Sequence, residues 1–445
     1  MEAVKNSKRN FFILWVGQLL SNTGSGLTGF ALGVWMFEKT GLATYYALIV
    51  LCSTVPGILV RPFAGALADR YSRRLLMVLS DLGAALGTVF VAIMFWTGNL
   101  QPWHIYLGMS ISSALTGVGV PSYMSAVTQL VPRNFYAQAS GMIQGAGSAQ
   151  YLISPLLAGL LLPVIGITGI IFVDFATFTF ATLATLSIRI PILAAKDENE
   201  EVDDSLIKQV WNAFLYLRGK FGLMALIIIL SIVNFFLGFL ISLIGPMVLS
   251  FTTSRVLGIG QSISAVGMLL SSILIVLLNE PKNLVRKTLN FLVILGVSYA
   301  LIGVHQSIVT IVVPCFVFFF SIPFINTYID IIMRRKVEPH YQGRVYALIG
   351  MMSQTGLILS YIISGPLSDR VFEPMLQKDG ILANGIGSII GTGPGRGIAL
   401  IFIIMGIMIS VLALVAGSIK QLKKLESQLA EEEEKSLNVS GVYEV

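Results

Sequence analysis

Charged residues are scarce in this 445-residue chain: Asp, Glu, Lys and Arg make up 12% of it, whereas a soluble globular domain carries roughly 25%. Water is therefore not the main solvent of its surface. Cysteine and histidine are also rare, at two and three residues. Cys52 and Cys315 both lie in apolar runs, where a thiol acts as a small hydrophobe. Neither a disulfide framework nor a metal site is predicted.

The motifs of ATP-driven pumps and of enzymes are missing as well. No Gly-x4-Gly-Lys-Ser/Thr phosphate loop occurs in the sequence. The glycine-rich stretch 385–397 lacks the spacing of a dinucleotide fingerprint, and no nucleophile, base and orienting acid form a recognisable set. We therefore predict a protein that is not an enzyme and that binds no cofactor.

What the chain has is apolar length, with 55% hydrophobic residues and a mean hydropathy of +0.82. A bilayer core about 30 Å thick needs about 20 apolar residues per helix, and such stretches recur throughout. The sequence predicts an all-α integral membrane fold with twelve transmembrane helices in two six-helix halves. The predicted spans are 11–36, 42–66, 75–97, 103–130, 137–163, 168–188, 221–249, 256–278, 288–304, 308–332, 344–366 and 397–418.

The basic residues predict the orientation in the membrane. If the N-terminus is cytoplasmic, only five of the 29 Lys and Arg residues fall on the other side, which agrees with the positive-inside rule. These five are Lys39, Arg255, Arg370, Lys378 and Arg396. We predict a multi-pass protein of the bacterial inner membrane with both termini in the cytoplasm. The formal charge of +6 is explained by this topology, so no nucleic-acid partner is expected.

One long charged stretch divides the chain. We predict an N-terminal half at 1–190, a cytoplasmic linker at 191–220, a C-terminal half at 221–419 and a cytoplasmic tail at 420–445. The segment Tyr-Leu-Ile-Ser-Pro-Leu at 151–156 is echoed by Tyr-Ile-Ile-Ser-Gly-Pro-Leu at 361–367. Two halves with the same orientation are typical of a parallel repeat in a transporter.

The loop between predicted spans 2 and 3 reads Gly65-Ala-Leu-Ala-Asp69-Arg70-Tyr-Ser-Arg73-Arg74. Orientation in the membrane explains its arginines but not its aspartate. A carboxylate here can pair with the arginines or lie at a helix N-terminus, where the helix dipole favours negative charge. Gly65 would let two helices approach closely. The cluster therefore predicts a latch between the cytoplasmic ends of the two halves.

This loop resembles the signature of the major facilitator superfamily, Gly-x-x-x-Asp-Arg/Lys-x-Gly-Arg/Lys-Arg/Lys, and departs from it only at Ser72. The resemblance implies an inner gate latch to which Asp81 contributes as a partner for Arg74. The latch set is Gly65, Asp69, Arg70, Arg73, Arg74 and Asp81.

Further resemblance concerns the branch of the family. The exporter signature of the fifth helix is matched at three of its six positions, by Gly141, Pro155 and Gly159, and Ser154 is a small residue where the signature has glycine. A kinked helix interface of small residues explains the same pattern. An arginine that drug antiporters carry in the fourth helix is absent, since Ser112 and Ser113 stand there. The branch that includes macrolide exporters and the enterobactin exporter is the most similar. Its cues are Trp15-x-Gly-Gln, Glu38-Lys-Thr-Gly, Asp81 and Gly343-Arg-Val.

Polar side chains inside the spans must face other helices or a water-filled cavity. Each of these residues either lines a substrate cavity or bonds to a neighbouring helix. The cavity candidates are Gln18, Asn22, Gln144, Tyr151, Asn234, Asn326, Gln354 and Tyr361. Asp174 and Asp330 are the candidates for proton coupling. Asp174 could instead be structural or reach the membrane surface, and Asp330 could instead form an ion pair with Arg334, four residues on.

Together these features predict secondary active efflux by alternating access. The expected partners are an amphipathic drug- or macrolide-like small molecule, a proton and the lipid bilayer, with the protein acting as a monomer. A natural product, a siderophore or a lipid-like cargo is the alternative substrate class, and antibiotic resistance is the expected phenotype of drug export.

Overall fold

The computed structural model describes residues 2–132, 135–188, 214–278 and 281–440, without the side chains of 2–7, 66, 68–70, 137, 148–149 and 432–440. Most of the predicted linker at 191–220 thus lies outside the described residues. The helices are α1 (Glu2–Thr40), α2 (Ala43–Arg70), α3 (Arg73–Trp96), α4 (Pro102–Leu130), α5 (Tyr136–Ser187), α6 (Phe221–Leu249), α7 (Ser254–Leu277), α8 (Leu284–Ile302), α9 (Ile308–Lys336), α10 (Pro339–Leu367), α11 (Arg396–Ser418) and α12 (Lys420–Ser440).

Nine helices in the described part of the chain are long and apolar enough to cross a membrane. One of them, Gln138–Ser187, has 50 residues and is kinked at Gly166, so each of its two segments has about 20 residues or more, enough for one crossing each. The less apolar α1 and α4, with 39 and 29 residues, have the length for the remaining two. The all-α membrane fold is confirmed, and twelve spans are consistent with these helices.

Predicted spans 5 and 6 are two helical segments of α5 that meet at a kink, without a loop between them. The only non-helical residue inside α5 is Gly166, with φ 64° and ψ −177°. This positive φ is strained for residues with a side chain and readily adopted by glycine. A single glycine therefore makes the joint between the two spans.

The chain forms two compact units, and neither coincides with a predicted half. The first comprises Met1–Glu201, Ile241–Ser262 and Tyr361–Arg370, and the second comprises Val202–Leu240, Ile263–Ser360 and Val371–Val445. The first unit thus combines α1–α5 with one end of each of α6, α7 and α10. The division into sequence halves stays a prediction.

Small residues bring the helices of the first unit together. A Cβ added at Gly117 of α4 would lie 2.5 Å from the carbonyl oxygen of Gly57 on α2. A Cβ at Gly87 of α3 would lie 2.3 Å from the carbonyl oxygen of Gly108 on α4. Without a hydrophobic driving force in lipid, such close packing supplies the attraction between membrane helices.

In the second unit, α8 packs against α9, α11 and the tail helix α12. The hydroxyl of the fully buried Tyr299 on α8 donates to the carbonyl oxygen of Phe236, at 2.9 Å. On α12, Leu422, Leu425 and Leu429 form a buried stripe. Since α12 is amphipathic and docks through this stripe, its first part is a packed element of the unit.

Candidate functional site

The loop between α2 and α3 is described only in part, because the side chains of Asp69 and Arg70 lie outside the described residues. Ser72, where the family signature has glycine, caps α3: its hydroxyl accepts a hydrogen bond from the backbone N–H of Leu75, at 3.3 Å. Serine is a favoured N-cap. The departure from the signature therefore has a local structural reason.

Asp81 and Arg74 do not pair as the sequence predicted. The Asp81 carboxylate, 7% exposed, accepts a hydrogen bond from the side-chain amide of Gln18 at 3.4 Å. The guanidinium of Arg74 donates instead to the carbonyl oxygen of Leu186. Helical side chains lean toward the N-terminus of their helix, so Arg74 at the start of α3 points away from Asp81, about 10.5 Å further along the axis. The partly buried Arg73 lies one residue before Arg74, at the start of α3.

The close helix approach expected at Gly65 was also wrong. No described atom lies within 4 Å of a Cβ added at Gly65. The tight contact between α2 and α4 is at Gly57 and Gly117 instead. Two crossing helices approach most closely in one region, and Gly65 lies two turns beyond it.

The exporter-like motif in α5 forms two helix contacts inside the first unit. The buried Ser154 hydroxyl donates to the carbonyl oxygen of Thr23 on α1, at 3.0 Å. A Cβ at Gly258 of α7 would lie 2.2 Å from the carbonyl oxygen of Pro155 and 3.0 Å from the Cα of Gly159. These residues allow the backbones of α5 and α7 to meet. Gly141 makes no such contact, since no described atom lies within 4 Å of its added Cβ.

Asp174 lies in the interior of the first unit, with 1% of its surface exposed. Its Oδ2 accepts hydrogen bonds from the hydroxyls of Thr28 on α1, at 2.7 Å, and Thr88 on α3, at 3.4 Å. Its buried Oδ1 has no hydrogen-bond partner among the described residues. A Cβ at Gly24 would lie 2.9 Å from that Oδ1, so glycine makes room for the carboxyl group. The surface-reaching alternative for Asp174 is therefore wrong.

Asp330 has different surroundings in the second unit. Its Oδ2 accepts a hydrogen bond from Nε of Arg334 at 2.7 Å, and its Oδ1 accepts one from the hydroxyl of Tyr346 at 2.5 Å. The side chain of Asp330 is 38% exposed. The helical ion pair anticipated as an alternative is present, and both carboxylate oxygens are occupied.

The cavity candidates fall in both units. In the first, Gln18 bonds to Asp81, Asn22 is partly buried, Gln144 and Tyr151 are exposed, and Tyr361 is buried. In the second, Asn234 donates to the carbonyl oxygen of Leu230 in its own helix at 2.9 Å, Asn326 is exposed and Gln354 is partly buried. Asn234 thus satisfies one side-chain donor locally, and the exposed residues are available to a ligand.

The sequence reasoning missed Asp369, which follows α10. Its carboxylate accepts hydrogen bonds from the backbone N–H groups of Ala43 and Thr44, at 3.0 and 2.7 Å. These are the first two residues of α2, and all three belong to the first unit. A signal was available, because Gly-x-Leu-x-Asp-Arg occurs both at 65–70 and at 365–370.

A bundle of apolar helices with buried polar groups is compatible with several classes of membrane protein, and the comparison with known families decides between them. The model of the Major Facilitator Superfamily matches residues 14–361. The chain belongs to this superfamily. It is therefore a membrane transporter, not an enzyme, and the resemblance seen in the loop after α2 is confirmed.

Within the superfamily, macrolide efflux proteins are similar over nearly their whole length. Macrolide efflux protein A of Streptococcus pyogenes is 27% identical over 377 residues, covering 83% of this chain and 92% of that protein. Macrolide efflux protein A of Enterococcus faecalis is 28% identical, covering 67% and 94%. Multidrug resistance protein MdtG of Serratia proteamaculans is 28% identical over a shorter region, 41% of this chain and 44% of that protein.

Solved structures of other transporters share the fold. The crystal structure of the nucleoside transporter NupG has a TM-score of 0.68 and 16% sequence identity, covering 92% of this chain and all of that one. A bacterial homologue of the human lysosomal transporter Spinster has a TM-score of 0.69 and 15% identity, covering 94% and 98%. At such low identities the likeness concerns the superfamily fold alone.

Proposed function

We propose that this protein exports amphipathic drug- or macrolide-like molecules by alternating access, driven by proton entry. The observation that carries the proposal is the similarity to macrolide efflux protein A, which extends over 92% of that protein. Such coverage includes the helices of both predicted halves. A shared cargo class is the simplest explanation of similarity along nearly the whole transporter.

Asp174 is the proposed site of proton binding. A charge buried without a cation is costly, and no ion pair joins Asp174 among the described residues. Thr28 and Thr88 hold the carboxyl group from two helices. A proton that binds here and later leaves would change the interactions of α1, α3 and α5 together.

The remaining sequence predictions enter this proposal unchanged. The protein would lie in the bacterial inner membrane as a monomer with both termini cytoplasmic, and its halves at 1–190 and 221–419 would rock around a central cavity. The loop after α2, with Asp69, Arg70, Arg73 and Arg74, would close the cytoplasmic side. The exposed Gln144, Tyr151 and Asn326 would contact the cargo.

The test is accumulation of labelled macrolides and other amphipathic drugs in cells that lack their own main exporters. We expect cells with the wild-type protein to hold less drug than cells with an empty vector, and a protonophore to abolish the difference. Higher drug accumulation in cells with the wild-type protein would mean that the protein imports these molecules. If drug accumulation is unaffected at normal expression but the cells export a natural product or siderophore through the protein, the drug-like cargo is wrong and the transporter assignment stands.

A further inference from the structure

The start of α2 has no helix cap of its own. The first N–H groups of a helix lack partners within it, and a Ser, Thr, Asp or Asn side chain just before the helix usually accepts from them. Here that position is Leu42, which has no side-chain cap, and the first turn contains no acidic residue. The local sequence therefore leaves the positive end of α2 unsatisfied.

Asp369 supplies this cap from the other end of the chain. Its two carboxylate oxygens accept from Ala43 N and Thr44 N, one bond each. Bonds to an ionised acceptor are stronger than neutral ones, and a negative charge at a helix N-terminus also interacts favourably with the helix dipole. The contact thus joins α10 to α2 through both hydrogen bonds and charge.

The backbone is shaped for the same contact. Gly365, one turn before Asp369, lies against Thr44 so closely that an added Cβ would lie 2.4 Å from the Thr44 Cα. Two residues after Thr44, the ring of Tyr46 covers Gly245 of α6, where an added Cβ would lie 2.6 Å from the ring. Two glycines on different helices therefore receive the first turn of α2.

The sequence of this contact repeats that of the loop at the other end of α2. Gly65-x-Leu-x-Asp69-Arg70 ends α2, and Gly365-x-Leu-x-Asp369-Arg370 follows the same order at the end of α10. With 28 residues, α2 is about 42 Å long, so its two ends lie at opposite membrane surfaces. The same spacing of glycine and aspartate therefore occurs near both surfaces.

We propose that Gly365 and Asp369 form an outer latch: they dock the end of α10 on the start of α2, and they release it when the transporter opens to the outside. The inference rests on the alternating access proposed above. Opening then removes the cap of α2, so the cap stabilises the state in which the outer side is closed. Asp369 acts here as a positioning residue and does not need to touch the cargo.

Hydrogen–deuterium exchange of the full-length protein in lipid nanodiscs reads the latch directly. Among the described residues, Asp369 is the acceptor for the amides of both Ala43 and Thr44, so Asp369→Ala should accelerate their exchange roughly tenfold. Asp369→Asn keeps one acceptor oxygen and should give a smaller increase. Asp379→Ala is the matched control, because Asp379 is exposed ten residues later and should leave these amides unchanged.

A second readout reports opening of the outer side away from the cap. Ser254 at the start of α7 is 7% exposed, and its carbonyl oxygen lies 2.9 Å from a Cβ added at Gly159. We expect a Ser254→Cys reporter, in a background without Cys52 and Cys315, to react with a membrane-impermeant maleimide several-fold faster when Asp369 is alanine.

Gly365→Ala tests the close packing of the latch without changing its charge. It keeps the carboxylate but adds a methyl group where Thr44 leaves no room, so it should raise both exchange and labelling. Gly350→Ala on the same helix is its control, because no described atom lies within 4 Å of that added Cβ.

The latch is overturned if Asp369→Ala leaves exchange at Ala43 and Thr44 unchanged. It is equally overturned if exchange rises but labelling at Ser254 does not, since Asp369 would then be a local cap only. Both measurements are made without cargo. If the protein exports no drug but Asp369→Ala raises both exchange and labelling, the latch proposal stands and the proposed function is wrong.

Discussion

Two aspartates inside predicted spans, Asp174 and Asp330, have opposite surroundings. Asp174 is 1% exposed, its partners are uncharged threonine hydroxyls, and one of its oxygens has no partner among the described residues. Asp330 is 38% exposed in its side chain and bonds to Arg334 and Tyr346 through both oxygens. The sequence offered both as proton-coupling candidates, and only the Arg334 that follows Asp330 by four residues hinted at the difference.

The difference shows how surroundings select a role for a carboxylate. An exposed ion pair of residues four apart on a helix contributes little, and an acid in such a pair must give up its cation before it takes a proton. A buried carboxyl group with hydroxyl partners has no cation to lose. The contrast favours the proposed coupling role for Asp174, whereas Asp330 forms an ion pair with Arg334. Two substitutions test this contrast, and a third concerns the tail helix.

The largest effect is expected for Asp174→Asn. The amide keeps a hydrogen-bond acceptor for Thr28 but cannot release a proton, so transport driven by a pH gradient should fall more than tenfold. Drug uptake into proteoliposomes with an imposed pH gradient measures this loss, and exchange of drug without a gradient should persist. If the gradient still drives transport at the wild-type rate, Asp174 is a structural residue.

A smaller effect is expected for Asp330→Asn, which serves as the matched control for the same chemical change. It removes one exposed ion pair, and such pairs contribute little, so gradient-driven transport should stay within about threefold of the wild-type rate. The same proteoliposome assay applies. A loss as large as that of Asp174→Asn would invert the contrast between the two residues.

The smallest effect concerns Glu426 on the tail helix α12, a partly buried carboxyl group outside the spans. Burial raises its pKa above the usual range, although bonds from the backbone N–H groups of Val285 and Arg286 offset part of the rise. The folded state therefore binds the proton more tightly than the unfolded state. The stability contribution of Glu426 falls as pH rises from its pKa in the unfolded state through its higher pKa in the folded state.

Glu426→Gln imitates the protonated form. We expect the variant to be slightly more stable than the wild type at pH 8, by less than about 1 kcal/mol, and the difference to vanish at pH 4. Thermal unfolding in detergent across this pH range measures it. If the stability of the wild type increases relative to that of the variant as pH rises, the ionised carboxylate stabilises the docked tail.

The spans were predictable because the requirement for them is local: apolar length alone identifies a membrane helix. The joint at Gly166 was not, since a glycine between two apolar runs is equally compatible with a loop. Partners over long sequence distances were the main failure. The family resemblance implied Arg74 as the partner of Asp81, whereas Gln18 reaches Asp81 from another helix. The contact of Asp369 could not be predicted without knowing which helix end lies beside it.

The cap on α2 also has a consequence for biosynthesis. Ala43 and Asp369 are separated by 326 positions, and a ribosome that adds about 5–20 residues per second needs roughly 15–65 s to cover that distance. During this time the first spans are already made while the start of α2 has no partner for its N–H groups. The start of α2 therefore acquires its cap only after residue 369, in the last third of the chain, has been synthesised.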